Sequence, residues 1–350
     1  MSESLAAPAD LDAAWTRLHR AFSPAVASGQ LRVHPEDFVV EELLETDPDP
    51  DGEHLLICVR KCRWNTADVA RWLARELQLS PRAVTWSGLK DRRSVSTQWF
   101  GVHLPGRAVT VPDPPDGLTW VCWHRQRRKL RIGSHQENRF RLIVRAVEGD
   151  AGAMHRRLHA IARHGVPNYF GPQRFGRDGS NLALAERFAD GMRLRDRDRR
   201  SLLLSTMRAF LFNRLLSERV ALDAWRTPLD GDVMGFSGSR SVFLATKETA
   251  FDARLARCDL HPTGLLAGRG ATRSLGAAAS VEQRVLDAYP HWLQALQRAG
   301  VDAGRRALRM PVCELHWRLL ADDCWEIGFR LPAGGFATSV LRELGTFVDA

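Results

Sequence analysis

The chain has 350 residues, 44% of them apolar and 26% charged, with 50 Lys plus Arg against 41 Asp plus Glu for a formal charge of +9. That is ordinary globular composition, long enough for about two domains with cores of their own. No run approaches the roughly 18 apolar residues a membrane span needs, and the start lacks the basic-then-apolar pattern of a secretory leader.

Residues 1–30 are rich in Ala and Pro and are expected to wrap loosely on the body. A Pro–acid turn in LRVHPEDFVVEE then feeds a short strand at Phe38–Val40, and His54–Val59 reads as a second strand. Asn65–Thr66 offers a helix start, with Val69, Trp72, Leu73 and Leu77 at helical spacing and Pro81 closing the region. Val84–Ser87 reads as a strand delivering Gly88 and the KDRR turn, after which Val95, Thr97 and Trp99 alternate with polar neighbours in an extended run. Trp120–Trp123 and Arg139–Val147 look like strands on either side of RQRRKLR, where five of seven residues are cations.

A helix is expected over Ala151–His164, followed by the aromatic, turn-rich VPNYFGPQRFG. Leu202–Leu222 is the clearest amphipathic helix. Residues 226–280 read as loop-rich, Ser280–Ala299 as one helix, and strand alternation returns at Leu315–Leu319 and Trp325–Leu331. Strand-rich ends thus flank a helical middle, as an insertion into one sheet-based domain would.

The residue that stands out chemically is Asp91. A carboxylate placed just after a Gly and among Lys90, Arg92 and Arg93 should stay ionised, which suits a nucleophile or base. The surrounding cations suit a polyanionic substrate such as RNA. A solvated, charge-balanced turn is the plain alternative. Arg125, Arg127, Arg128, Lys129 and Arg131 form a basic strip fit for an RNA backbone, or else a solvated face. RLRDRDRR at 193–200 is self-neutralised through Asp196 and Asp198. The excess of Arg, whose guanidinium suits phosphates and bases, favours a nucleic-acid partner.

Phe38, Phe140 and Phe336 sit beside polar or Gly-rich residues, where a ring can stack on an extruded base. Singly, each would serve as well in a core. His155 and His159 lie four apart, but no HExxH glutamate or third ligand accompanies them, so no metal is expected. No GxSxG elbow, P-loop or dinucleotide fingerprint occurs, so no nucleotide cofactor is expected. The cysteines at 58, 62, 122, 258, 313 and 324 are scattered and read as reduced thiols of a cytoplasmic protein.

Five segments together resemble the tRNA pseudouridine synthase D (TruD) family: PEDFVVEE at 35–42, GLKDRRSVSTQWF at 88–100, RRKLRIGSHQENRF at 127–140, VPNYFGPQRFG at 166–176 and LPAGGFATSVLREL at 331–344. They span most of the chain in family order. The resemblance implies an α+β (mixed α/β) fold: a pseudouridine-synthase-like catalytic domain on a mixed, mostly antiparallel sheet, with an inserted α/β domain. The catalytic domain would comprise 1–165 plus 310–350, and the insertion 166–309. It implies conversion of uridine-13 of tRNA to pseudouridine, without cofactor or metal. Asp91 matches the family's catalytic aspartate, and Phe38, Asn138 and Phe336 fall where the target nucleotide is held. Phe140 stands where most other pseudouridine synthases carry Tyr.

Lys90 is expected to steady Asp91 or a phosphate, or else to be a surface cation. Two departures stand out: Glu137 replaces a frequent Gly, and Ser94 and Ser96 replace Ala and Thr. A monomer with tRNA as partner, and with neither membrane nor obligate protein partner, is expected. The competing readings are a non-catalytic tRNA-binding or chaperone protein and a base-excising enzyme.

Overall fold

The computed structural model describes residues 10–107, 110–245 and 251–350. Strands β1 (Ala27–Leu31), β2 (Phe38–Leu43) and β3 (His54–Cys62) precede helix α1 (Thr66–Glu76). Next come β4 (Val84–Trp86), β5 (Val95–His103), β6 (Leu118–Gln126), β7 (Glu137–Gly149) and helix α2 (Ala151–His164). The middle holds β8 (Val166–Pro167), α3 (Ser180–Ala189), α4 (Arg197–Ala221), β9 (Val233–Phe236), β10 (Val242–Leu244), α5 (Asp252–Ala256) and β11 (Leu260–Leu266). It continues through α6 (Gly276–Ala288), α7 (Pro290–Arg298), β12 (Gly304–Ala307) and β13 (Arg309–Met310). Strands β14 (Cys313–Ala321) and β15 (Cys324–Pro332), helix α8 (Ala337–Leu344) and β16 (Gly345–Asp349) follow.

The chain divides into two compact units. One takes Val26–Met154, Val312–Gly334 and Gly345–Ala350; the other takes Met1–Ala25, His155–Pro311 and Gly335–Leu344. The first is built on a sheet in the order β14-β15-β7-β2-β5-β3-β6, with β1 joining β7 to β16 and β4 joined to β5. Among its described strands only the β2–β5 and β1–β16 pairs are parallel. This is the mixed, mostly antiparallel sheet of the expected α+β class. Its ends close on each other in sequence, since Phe329 pairs with Phe140 and Leu331 with Asn138.

Period-2 alternation sets the faces of this sheet. In β2 it turns Phe38, Val40 and Glu42 inward, and in β7 Asn138, Phe140, Leu142 and Val144. Helix α1 starts at the expected Asn65–Thr66 boundary and buries Val69 and Leu73 against Ile57, Val59, Phe100 and Val102.

The second unit is the more helical. Helix α4 carries Met207, Phe210, Leu211 and Leu215 into a core shared with Tyr289 and Trp292. The start of the chain is not the loose wrap expected, although residues 1–9 lie outside the described ones. Ala13, Ala14 and Leu18 are buried in this core, and the Asn213 amide donates to the Ala14 carbonyl at 3.1 Å. Residues 226–280 are loop-rich as expected, with β9, β10, α5 and β11 set between the loops and α6 beginning at Gly276. Strands β9 and β10 are short and β11 is buried on both faces, so their alternation is weak. The expected helix over Ser280–Ala299 is two helices, since Pro290 has no N–H to continue α6 and heads α7 instead. Helix α4 begins earlier than expected, where the Asp196 carboxylate accepts the N–H groups of Asp198 (2.9 Å) and Arg199 (3.2 Å).

Candidate active site

The loop from Ser87 to Ser94 joins β4 to β5 and carries Asp91. Its backbone is tied down at nearly every step. The Lys90 N–H donates to Thr66 Oγ1 at 3.0 Å, and the Gly88 carbonyl accepts from Gln98 Nε2 at 3.0 Å. The Asp91 carbonyl accepts from Ser94 Oγ (2.9 Å) and from Lys61 Nζ (3.1 Å). Lys61 also donates to the carbonyls of Trp64 (2.8 Å) and Lys90 (3.3 Å). Its ammonium is buried, and burial pushes its pKa down to about 8, with Lys90 adding to the fall and Asp91 opposing it.

The carboxylate of Asp91 is 57% exposed, and the cation that meets it is Arg32, at 3.6 Å. Arg32 is 10% exposed, binds both oxygens of Asp349 (2.7 and 2.8 Å), and lays its guanidinium 4.1 Å from the Phe38 ring centre. Its φ of +53° is unusual for a side-chain-bearing residue. The KDRR neighbours diverge instead of surrounding Asp91. Arg92 Nε donates to the Arg63 carbonyl at 3.0 Å, and Arg93 bonds the Ala350 carbonyl. Adjacent side chains on a turn point different ways, so closeness in sequence overstated their grip.

Lys90 is neither a surface cation nor the partner of the Asp91 carboxylate. Its ammonium pairs with Glu42 at 2.5 Å, the side chains being 8% and 0% exposed. Glu42 also accepts from Ser87 Oγ and from the Trp99 N–H (3.1 Å). Glu42 faces Asn138 across the β2–β7 ladder, and Asn138 Nδ2 lies 3.2 Å from His135 Nε2. Burial, aided by Lys90, lowers the His135 pKa and favours a neutral ring that accepts this amide proton. Asn138 Oδ1 is then a buried acceptor with no partner among the described residues.

Phe38 and Phe140 are buried and meet edge to face, 6.2 Å between centres at 81°. Phe140 also packs on Phe329 at 5.4 Å. They form a floor and present no open stacking face. Phe336 lies in the other unit, edge-on to Phe170 at 5.9 Å. The basic strip is mixed in use. Arg125 donates to the carbonyls of Gly52 (2.9 Å) and Arg107, and Arg127 pairs with Asp49, whereas Arg128, Lys129 and Arg131 are exposed.

Arg32, Glu42, Lys61 and His135 were not foreseen. The available signal was charge at an inward position: Glu42 in FVVEE and Lys61 in HLLICVRKC. Among the described residues no group of His, Cys, Asp and Glu is arranged to hold a metal ion. No described helix is long and apolar enough to cross a membrane.

The family model for tRNA pseudouridine synthase D (TruD) matches residues 20–191 and 182–344. This chain belongs to the TruD family. Among relatives named tRNA pseudouridine synthase D, that of Methylococcus capsulatus is 42% identical over 336 residues, 94% of each chain. That of Ectopseudomonas mendocina is 43% identical over 338 residues, 95% of each chain. A solved structure described as a TruD from Methanosarcina mazei is 20% identical, covers 96% of this chain and 97% of its own, and superposes with a TM-score of 0.67. The shared TruD fold therefore holds over almost the whole chain.

Proposed function

We propose that the chain is an RNA-modifying isomerase converting uridine-13 of tRNA to pseudouridine, with Asp91 as its catalytic residue. Family membership supports the reaction class. The observation that carries the reading is the Arg32 bridge, which ties the Asp91 carboxylate to a guanidinium lying on the Phe38 ring while leaving it open to a macromolecule. The catalytic role falls to residues 1–165 and 310–350, and 166–309 is the family's insertion.

In this reading the uridine leaves its stack, at a cost of a few kcal/mol. The Asp91 carboxylate then adds to the ribose at C1′, adds to the base, or removes a proton from the sugar's 2′ carbon. By any route the C1′–N1 bond breaks, the uracil turns, C5 bonds to C1′ and gives up its proton, and N1 takes up a proton. No atom is gained or lost, and no metal or cofactor takes part. Asn138 Oδ1 offers an acceptor to a uracil N–H, and Phe38 and Phe140 make an apolar floor that keeps water from the detached base. Exposed Arg128, Lys129 and Arg131 contact phosphates. The protein acts as a cytoplasmic monomer on tRNA.

Incubation with tRNA transcripts and carbodiimide mapping tests this. Asp91→Asn is expected to lower product formation at least ~10²–10⁴-fold, the range for a positioned acid or base, with tRNA affinity retained. Full activity of Asp91→Asn removes Asp91 from the mechanism. A chaperone yields no pseudouridine even with the wild type. An excising enzyme releases uracil, which mass spectrometry detects as a loss of RNA mass.

A further inference from the structure

Two of the most exposed apolar side chains among the described residues flank the Asp91 loop. Leu89 is 76% exposed and Ile132 is 82% exposed. Leu89 stands two residues before Asp91, in the loop whose backbone is otherwise pinned by Thr66, Gln98 and Lys61. Ile132 occupies the tip of a tight turn closed by the Ser134 N–H and the Arg131 carbonyl at 3.1 Å, with Gly133 at φ +80°. That left-handed glycine fixes a type II turn and holds Ile132 outward.

The two loops are joined, since the Gly133 N–H donates to the Ser87 carbonyl at 2.7 Å. Single exposed aliphatics need no explanation. Two on bonded loops, each held out by a fixed backbone and bordered by Arg128, Lys129 and Arg131, form a patterned surface. The cationic border fits a polyanion. Within that polyanion, an apolar tip fits the faces of stacked bases.

We propose that Leu89 and Ile132 are a wedge that enters the RNA stack beside the target uridine and occupies the gap left as the base turns out toward Asp91. Apolar wedges of Leu and Ile serve proteins that unstack nucleic acid. The inference rests on the isomerase reading above and assigns the step before chemistry. Both side chains act on the RNA's conformation and neither touches the reacting atoms.

The test uses a tRNA transcript with 2-aminopurine at the nucleotide 3′ to uridine-13, bound at saturation by the full chain carrying Asp91→Asn, so that fluorescence reports unstacking alone. The unlabelled tRNA is then mapped for product with the native Asp91. The wedge predicts a several-fold fluorescence rise that Leu89→Ala/Ile132→Ala abolishes, with product formation at least ten-fold slower and circular dichroism unchanged. Leu89→Met/Ile132→Met should restore both. Leu222→Ala, an equally isolated surface leucine of the other unit, should leave both readouts alone.

Equal fluorescence and equal rate in the double alanine variant overturn the wedge. So does product formation by the wild type without any fluorescence rise, which leaves the isomerase reading standing. Unstacking without pseudouridine has the opposite meaning: the wedge survives and the isomerase reading falls. If the double variant loses its circular dichroism, the two single variants carry the same comparison.

Discussion

Lys61 and Lys90 hold the Asp91 loop by different chemistry, and each predicts a different failure. Lys90 is half of a buried ion pair, so Lys90→Met leaves the Glu42 carboxylate buried without its cation. Removing one partner of such a pair costs about 3–5 kcal/mol. Urea denaturation should show a loss of that order, whereas a lysine serving only a phosphate would cost affinity and leave stability intact. Lys61 grips the Asp91 carbonyl through an ammonium whose pKa is lowered to about 8. The charged groups acting on it are Asp91, Lys90, Cys62 and Glu42.

Between about 8 and its ordinary value of 10.5, the folded protein binds fewer protons at Lys61 than the unfolded chain does. Linkage then makes this group's contribution to stability rise with pH in that window. Activity should nonetheless decline above about pH 8 as the ammonium is lost, while the thermal midpoint holds. Lys61→Arg should move the decline to higher pH, since guanidinium stays charged. A wild-type rate that is flat up to the ordinary lysine pKa of 10.5 would show that the charge of Lys61 is not needed.

At the level of elements, the turn after β6 divides its cations between structure and solvent. Arg125 and Arg127 are bonded within the protein, whereas Arg128, Lys129 and Arg131 are exposed and are the ones the proposed function assigns to RNA. Replacing these three by Ala should flatten the plot of log affinity against log salt by about 2–3, at roughly 0.7–0.9 for each phosphate no longer neutralised. An unchanged slope in a salt titration would place the RNA elsewhere.

The long regular elements were legible because their periodicity was strong: β2, β3, β5, β7, α1 and α4 all lie where alternation or helical spacing put them. Breaks were less so. Pro290 split a helix whose flanking apolar pattern runs on without interruption, β9 and β10 are too short to show a period, and β11 is buried on both faces and so does not alternate. At the candidate site, Asp91 stood out by residue type and motif. Its partner Arg32 was not, because that ion pair bridges distant parts of the chain and leaves no local trace. Lys90 showed the reverse error, with a nearby cation credited to the wrong carboxylate.

Over the whole molecule, β14, β15 and β16 join the sheet begun by β1–β7, so strands on either side of the helical middle share one sheet. What composition could not supply was the pairing. Register depends on which inward residues meet, as Leu331 meets Asn138 and Phe329 meets Phe140. The parallel pairing of β1 with β16 has a temporal consequence. Arg32 and Asp349, whose side chains brace each other beside Asp91, are separated by 317 residues. During synthesis Arg32, which directly follows β1, is made 317 residues ahead of the carboxylate that braces it. A nascent chain therefore carries both Arg32 and Asp91 long before the carboxylate that braces Arg32 has been made.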